Sequence, residues 1–578
     1  MNYVMSRFPT LLVCRAVLCF GMLLSGGCAS WLNRGDQDES QRFEKLLKVP
    51  DPPDLIREAA IPHGLQEIRV DGVAVVNQLA GTGGPALPSS FRDRLLEEMK
   101  RNEVSEPNEF LERDDNALVQ VRGLIRPGAR RGDSIDLQIL TPPKTEATNL
   151  HGGWLLDTRL RHQQLLNNSV RSSDVLAIGT GPVLTRGDFD GTDDVTLQVS
   201  GRILSGGLVQ SDRKLGLVLR PKFQHVKMAK AIAEAINRRF YFFDGTTRRG
   251  IANAVEDDFI EIDVHPRYRQ HEERLMEVVR AITVAPESSN TQARLVELAA
   301  KLRVPENAAD AALQLEAIGE GAIPTLVEAT SLPNPELRFY AAEALAYLDR
   351  NEAIEPLLAG IRAEPAFRSP SLSALLGLQH ASAVSALQQL LDEDSLETRY
   401  GAMTVLRDRK DARASLGGEN LKGQFRLYQI KSNGPPAVIV SLTRKPEVVL
   451  MGEVSPLELS SFFIGPAGLV VRRLKPGESA ESTPGGGAAR LRISRFRPGR
   501  PDAFAEVDAT LAGLVRGIAE VGGGYGDAVA TLRMAKEQGV LVDQLAFDPL
   551  PKSRRKYYRD EDRSGEEDEL DEDDVKAL

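Results

Sequence analysis

Ala117-Leu118-Val119-Gln120-Val121-Arg122-Gly123-Leu124-Ile125, a turn over 128–132, and then Ser134-Ile135-Asp136-Leu137-Gln138-Ile139 form the stretch on which the fold turns. Apolar side chains fall at alternate positions or run together, as in a strand with one buried face, and glycines mark the reversal between the two runs. The spacing predicts a β-hairpin with a basic tip at Arg130 and Arg131. Further on, Asn149-Leu150-His151-Gly152-Gly153-Trp154-Leu155-Leu156-Asp157-Thr158-Arg159-Leu160 sets two adjacent glycines directly before another apolar run, where side chains would hinder close backbone approach.

In this order and spacing, Arg130-Arg131-Gly132-Asp133-Ser134-Ile135-Asp136 and Leu150-His151-Gly152-Gly153-Trp154-Leu155-Leu156 resemble the bacterial flagellar P-ring protein family. Upstream, a strand is predicted over 68–76, followed by Leu79-Ala80-Gly81-Thr82-Gly83-Gly84, which is similar to the family's Gly-Leu-x-Gly-Thr-Gly-Asp; Ala74, Asn77 and Gly84 depart from its pattern. That turn lacks a full G-x-G-x-x-G or a Gly-Lys-Ser/Thr, so it does not point to a nucleotide. The strand over 215–220 and the helix ending Ala231-Ile232-Ala233-Glu234-Ala235-Ile236-Asn237-Arg238 resemble another family segment, and a strand over 259–264 with a helix over 272–282 repeats the order. Near the C-terminus, Thr510-Leu511-Ala512-Gly513-Leu514-Val515 and the run to Leu545 resemble the family's last helix pair, with an extra glycine among Gly522, Gly523 and Gly524.

The resemblance covers about 55–282 and 447–545. It implies an α+β, P-ring-like β-rich body with packed helices, and a structural subunit of the flagellar basal body that assembles in the periplasm around the motor rod. It further implies self-association into a ring homo-oligomer, contact with the rod and with outer-membrane ring proteins, and peptidoglycan nearby. The motif turn residues are Gly81, Thr82, Gly83, Gly132, Asp136, Gly152 and Gly153. No cofactor is implied.

Between the two matching parts the composition shifts to Ala, Leu and Glu and the period becomes helical. Ala322-Ile323-Pro324-Thr325-Leu326-Val327 recurs as Ala353-Ile354-Glu355-Pro356-Leu357-Leu358 and more loosely from Ala383; the run from Glu336 is echoed from Glu397. A recurrence near thirty residues resembles HEAT-type repeats, in which each helix pair buries its apolar face only against the next. An all-α, HEAT-like insertion with a protein ligand of its own is expected. Strands return over 425–430, 437–442 and 447–454.

The chain ends are of a different kind. Arg7 and Arg15 stand at the start of a short apolar run, Ala16 to Leu24, that meets Ser25-Gly26-Gly27-Cys28, an export signal whose end is similar to a bacterial lipobox with Cys28 as the lipidated residue. All three cysteines, Cys14, Cys19 and Cys28, precede residue 30, so the body holds no disulfide. The expected division is 1–28 signal peptide, 29–50 tether, 51–289 N-terminal body, 290–412 helical repeats, 413–550 C-terminal part of the body and 551–578 a charged, disordered tail. Lipidation at Cys28 would place the protein at the outer membrane.

At 578 residues the chain exceeds one core, and 42% hydrophobic with 27% charged residues is a globular composition. The formal net charge of -10 argues against a nucleic-acid partner. Seven scattered histidines include His151, His265 and His271, read as surface or turn residues, and 188–194 reads as a polar hairpin rather than a calcium loop, since no closing Glu follows. No nucleophile and base stand at a recognised spacing, so neither enzyme nor metal site is expected. The competing expectation is an envelope lipoprotein that keeps the ring fold and uses the helical repeats as a binding scaffold.

Overall fold

The computed structural model describes residues 48–559 except 167–168, 192–193, 286–290, 460–461, 476–488, 498–500 and 554. The signal and Cys28 readings and the acidic end of the tail lie outside the described residues.

After the short helix Ile56–Ala59, the first nine strands among the described residues are β1 (Ala60–His63), β2 (Ile68–Asn77), β3 (Ala117–Ile125), β4 (Ser134–Leu140), β5 (Trp154–Leu166), β6 (Ser169–Pro182), β7 (Leu184–Thr185), β8 (Ser200–Val209) and β9 (Leu215–Leu219). The predicted β3–β4 hairpin forms, with Gly123 opposite Leu137. The sheet runs β4-β3-β2-β5-β6-β8-β7, and β4 also pairs with β8. That pairing closes six strands into a barrel and removes their open edges. The period of two decides what fills it: Val119, Val121, Ile135, Leu137, Ile139, Leu160 and Ile203 point inward and are buried. Space is tight around Leu137. A Cβ on Gly179 would lie 2.6 Å from its side chain, on Gly207 2.9 Å and on Gly123 3.0 Å. Three glycines thus make room for one leucine. On the outer face, the helix Ser90–Arg101, capped by the Ser89 side chain, lays Leu95 and Met99 over Val73, Val75 and Leu118.

β10 (Tyr241–Asp244) and β11 (Thr247–Gly250) form a small hairpin, and β12 (Ala252–Ala254) and β13 (Phe259–Ile262) join β9 and β1 in a four-stranded antiparallel sheet ordered β1-β9-β13-β12. The helices Val226–Arg239 and Glu272–Arg280 bury Ile232, Ile236, Leu275 and Val279 with this sheet. The mixed α+β class expected from the sequence holds.

The helical region follows as four successive pairs: Thr291–Leu302 with Pro305–Ile318, Ile323–Ala329 with Pro335–Tyr347, Ile354–Ala363 with Pro365–Gly377, and Ala381–Gln389 with Leu396–Asp408. Pro305, Pro335 and Pro365 each open the second helix of a pair, where the missing N–H costs nothing. One apolar interior runs from Ile56 and Ile232 through Leu315, Leu345 and Leu375 to Ile439 and Val449. Charge crosses the joints too. Arg274 lies 2.6 Å from Glu316 and 2.5 Å from Glu343, all three largely buried, and Arg407 pairs with the buried Glu447.

The chain then forms β14 (Glu419–Leu421), β15 (Phe425–Ile430), β16 (Ala437–Val440), β17 (Glu447–Met451), β18 (Phe462–Ile464), β19 (Leu469–Arg473), β20 (Arg490–Arg495), β21 (Ala503–Asp508) and β22 (Gln544–Phe547). These make a mixed sheet, β14-β15-β17-β16-β22, and an antiparallel one, β18-β19-β20-β21. The helices Leu511–Glu520 and Tyr525–Glu537 bury Leu514, Ile518 and Leu532 in this body. No sheet among the described residues spans both β-rich bodies. They nonetheless meet in one apolar cluster: Leu184 of β7 and Phe189 of the short helix after it pack with Val438, Leu514 and Leu532, while the barrel interior itself stays separate.

Two expectations fail. The described part of 188–194 is not a hairpin: Arg186–Asp190 is a short helix opened by a capping box of Thr185 and Asp188, and Asp194 caps the next helix, Val195–Gln198. The start of the tail is not loose either: Tyr557 stacks on Phe367 with ring centres 4.9 Å apart, and Arg559 pairs with Glu336 at 3.0 Å. Apolar and ionic contacts with the helices hold a segment that its composition alone assigns to solvent.

Candidate functional site, a buried histidine between two bodies

Two of the motif turns, at 81–83 and 149–153, meet at one end of the barrel. The Thr82 hydroxyl donates to the Asn149 carbonyl at 2.7 Å, and the Thr148 N–H donates back to the Thr82 carbonyl at 2.8 Å. Gly83 is held against the turn that leads into β3, where a Cβ would lie 2.2 Å from the Asn116 carbonyl oxygen. Gly153 is as tight: a Cβ there would stand 2.4 Å from Val76 Cγ1. Gly152, at φ +74°, and Gly81, at φ +75°, supply the left-handed turns instead. Gly81, Thr82, Gly83, Gly152 and Gly153 are thus brought together. Gly132 and Asp136 lie elsewhere, at the tip and second strand of the hairpin.

What the turns position is His151. Its Nδ1 lies 2.7 Å from Asp188 Oδ1 and its Nε2 lies 3.0 Å from Asp527 Oδ1. Asp188 is fixed by the Thr185 N–H at 2.8 Å. Asp527, the capping residue of Tyr525–Glu537, accepts from the Gly524 N–H at 2.8 Å and pairs with Arg495 at 2.9 Å. The side chains are nearly shut off from water, 12% exposed for His151, 5% for Asp188 and 4% for Asp527. Each ring nitrogen faces a carboxylate oxygen, so the cluster is satisfied only when both nitrogens carry a proton. Burial works against that charge, but Asp188 and then Asp527, by charge and hydrogen bond, outweigh it and hold the imidazole well above its ordinary value. For Asp527, burial pulls upward while the His151 hydrogen bond and charge, Arg495 and the Gly524 N–H together pull it below the usual carboxylate range.

The arrangement is a clamp. The barrel supplies His151, the short helix beside it supplies Asp188, and the C-terminal body supplies Asp527 and Arg495. Neither imidazole nitrogen is left to activate a nucleophile, so the geometry serves cohesion rather than proton transfer.

Asp136 makes a second joint. Its carboxylate accepts from the Ser205 N–H and from the Arg444 N–H, both at 2.7 Å, and so ties β4 and β8 to the loop between β16 and β17. Ser205 also donates to the Arg444 carbonyl, and Arg202 reaches the Leu442 carbonyl at 3.2 Å. Asp136, singled out as a motif residue, faces the other body.

These joints bind a closed barrel, built from the first half of the chain, to a body from the second half. Residues 56–297 match the family model of the flagellar P-ring protein. Flagellar P-ring proteins are also among its relatives: that of Thermotoga maritima is 26% identical over 248 residues, 40% of this chain and 67% of the relative. That of Syntrophus aciditrophicus is 29% identical over 163 residues, 28% of this chain and 39% of the relative. The P-ring match takes in the barrel, the antiparallel sheet with its two helices, and all seven motif turn residues; it stops inside the first helix of the array.

Sequence reasoning missed His151 as a buried group, and with it Asp188, Asp527 and Arg495. A signal existed in the local pattern Thr-x-x-Asp at Thr185, which marks a helix start. His265 and His271 are likewise packed rather than exposed; burial first, and then the nearby Arg267 and Arg274 respectively, push each down to about 4.

Proposed function

We propose that the chain is a structural subunit of a flagellar P ring, assembled side by side in the periplasm around the motor rod, and that its role is not enzymatic. The family match over the barrel carries this proposal. The clamp at His151 supports it, because a subunit that bears load around a turning rod gains from two bodies that move as one. A ring needs heterologous contacts, so each copy presents two different complementary faces. On this proposal the C-terminal body completes the P-ring-like unit, the helical repeats pack against both of its parts, and Cys28, if acylated, adds an outer-membrane anchor. Rod, outer-membrane ring proteins and peptidoglycan are its surroundings.

A second reading is favoured by the helical array, which lies almost wholly beyond the family match: an envelope scaffold whose repeats hold another protein. Purification separates the two. Ring-shaped particles that copurify with basal bodies support the first; monomers bound to another envelope protein, with no rings, would replace it by the second.

A further inference from the structure

The segment after β22 turns back along the helical array. Arg555, Tyr557 and Arg559 are partly buried while Lys556 and Tyr558 between them are exposed, the alternation of an extended peptide lying on a surface. The inward side chains touch corresponding places on successive helix pairs. Pro551 lies against Gly401, where a Cβ would come within 3.2 Å of its ring. Arg555 lies 3.3 Å from Glu397. Tyr557 stacks on Phe367, which itself stacks on Phe339 with centres 4.3 Å apart. Arg559 pairs with Glu336 at 3.0 Å and Glu306 at 3.8 Å, and donates to the Pro305 carbonyl at 3.0 Å.

Glu306, Glu336 and Glu397 share a position: each is the second residue of the second helix in its pair. The repeat therefore sets carboxylates in a row with two stacked aromatic rings between them. Arginines separated by an aromatic residue, all on one side of an extended chain, complement such a row in charge and in shape.

We propose that this face of the array is a groove for extended peptides of the pattern Arg-x-aromatic-x-Arg, filled in the resting chain by its own Pro551 and 555–559, and that the partner is a protein presenting such a segment. The proposal rests on the repeats being a binding module and not on ring assembly. A partner gains access by displacing the built-in segment, so the segment sets the threshold for binding.

The probe is a fluorescein-labelled peptide of residues 551–559, followed by anisotropy with two forms of the full chain: unaltered, and carrying Arg555→Glu, Tyr557→Ala and Arg559→Glu to empty the groove. The emptied form should bind the peptide at least tenfold more tightly, with affinity falling as salt rises, and a peptide bearing the same three changes should bind neither form. Equal binding to both forms, or none to the emptied one, would overturn the proposal, as would binding that appears only with dimerisation of the chain. Should the triple variant misfold, Arg559→Glu alone is the milder opening and should give a smaller gain in the same direction; no gain would overturn the proposal equally. Images of the same samples report ring formation separately: rings without peptide binding end this inference alone, and peptide binding without rings ends the ring reading alone.

Discussion

Replacing His151 by Ala removes the imidazole whose two nitrogens touch Asp188 and Asp527. Asp527 keeps Arg495 at 2.9 Å and the Gly524 N–H at 2.8 Å, but among the described residues Asp188 keeps on its carboxylate only the Thr185 N–H at 2.8 Å. Breaking a buried pair by deleting one partner costs about 3–5 kcal/mol, because a charge is left in a dry site. The loss falls on the contact between bodies, so hydrogen exchange should quicken in Arg186–Asp190 and Tyr525–Glu537 by about two to three and a half orders of magnitude. The sign with pH follows from the raised histidine value. Such a group stabilises fully below its unfolded value of about 6.5, and the contribution fades by about 1.4 kcal/mol per unit as pH climbs towards the folded value. After correction for intrinsic exchange, the gap between the natural chain and H151A should be widest near pH 6 and narrow towards pH 9. A gap under about 1 kcal/mol at pH 6, well below that cost, or one that widens with rising pH, would refute the clamp.

Other substitutions test other parts. Gly153→Ala drives a methyl to 2.4 Å from Val76 Cγ1 and should cost about 1–3 kcal/mol by overpacking, read as a lower melting temperature. Gly132→Ala meets open space, so only its left-handed φ of +90° is penalised, at about 1–2 kcal/mol. Arg274→Ala strands Glu316 and Glu343 in the interior and should cost about 3–5 kcal/mol, with exchange in Pro305–Ile318 quickened most. Asp136→Ala frees two N–H donors and should loosen the loop between β16 and β17 while leaving the array protected.

What could be read from the sequence was local. The β3–β4 hairpin follows from alternation on either side of a glycine turn, and the demand for a bare backbone at Gly153 follows from its place before an apolar strand. The helical array declared itself by its period. Closure of the barrel did not, because β4 meets β8 across some sixty residues and no local pattern names a strand's second neighbour. The clamp was hidden for the same reason: His151 finds one partner 37 residues away and the other 376 away. A lone histidine beside two glycines looks like a turn until the tertiary fold supplies its acids. The tail misled through composition, since its arginines look solvated until the Glu ladder of the array is set beside them.

That two sequence-distant regions form one unit within a single chain is most directly tested by a disulfide across the Asp136 joint. With Cys14, Cys19 and Cys28 replaced by Ser, a chain carrying Ser205→Cys and Arg444→Cys is oxidised and run on a denaturing gel without reductant. A single faster-migrating monomer that returns to normal mobility on reduction is expected. Dimers and ladders would contradict the shared unit, because each barrel would then be seated on another copy's C-terminal body; so would free thiols throughout.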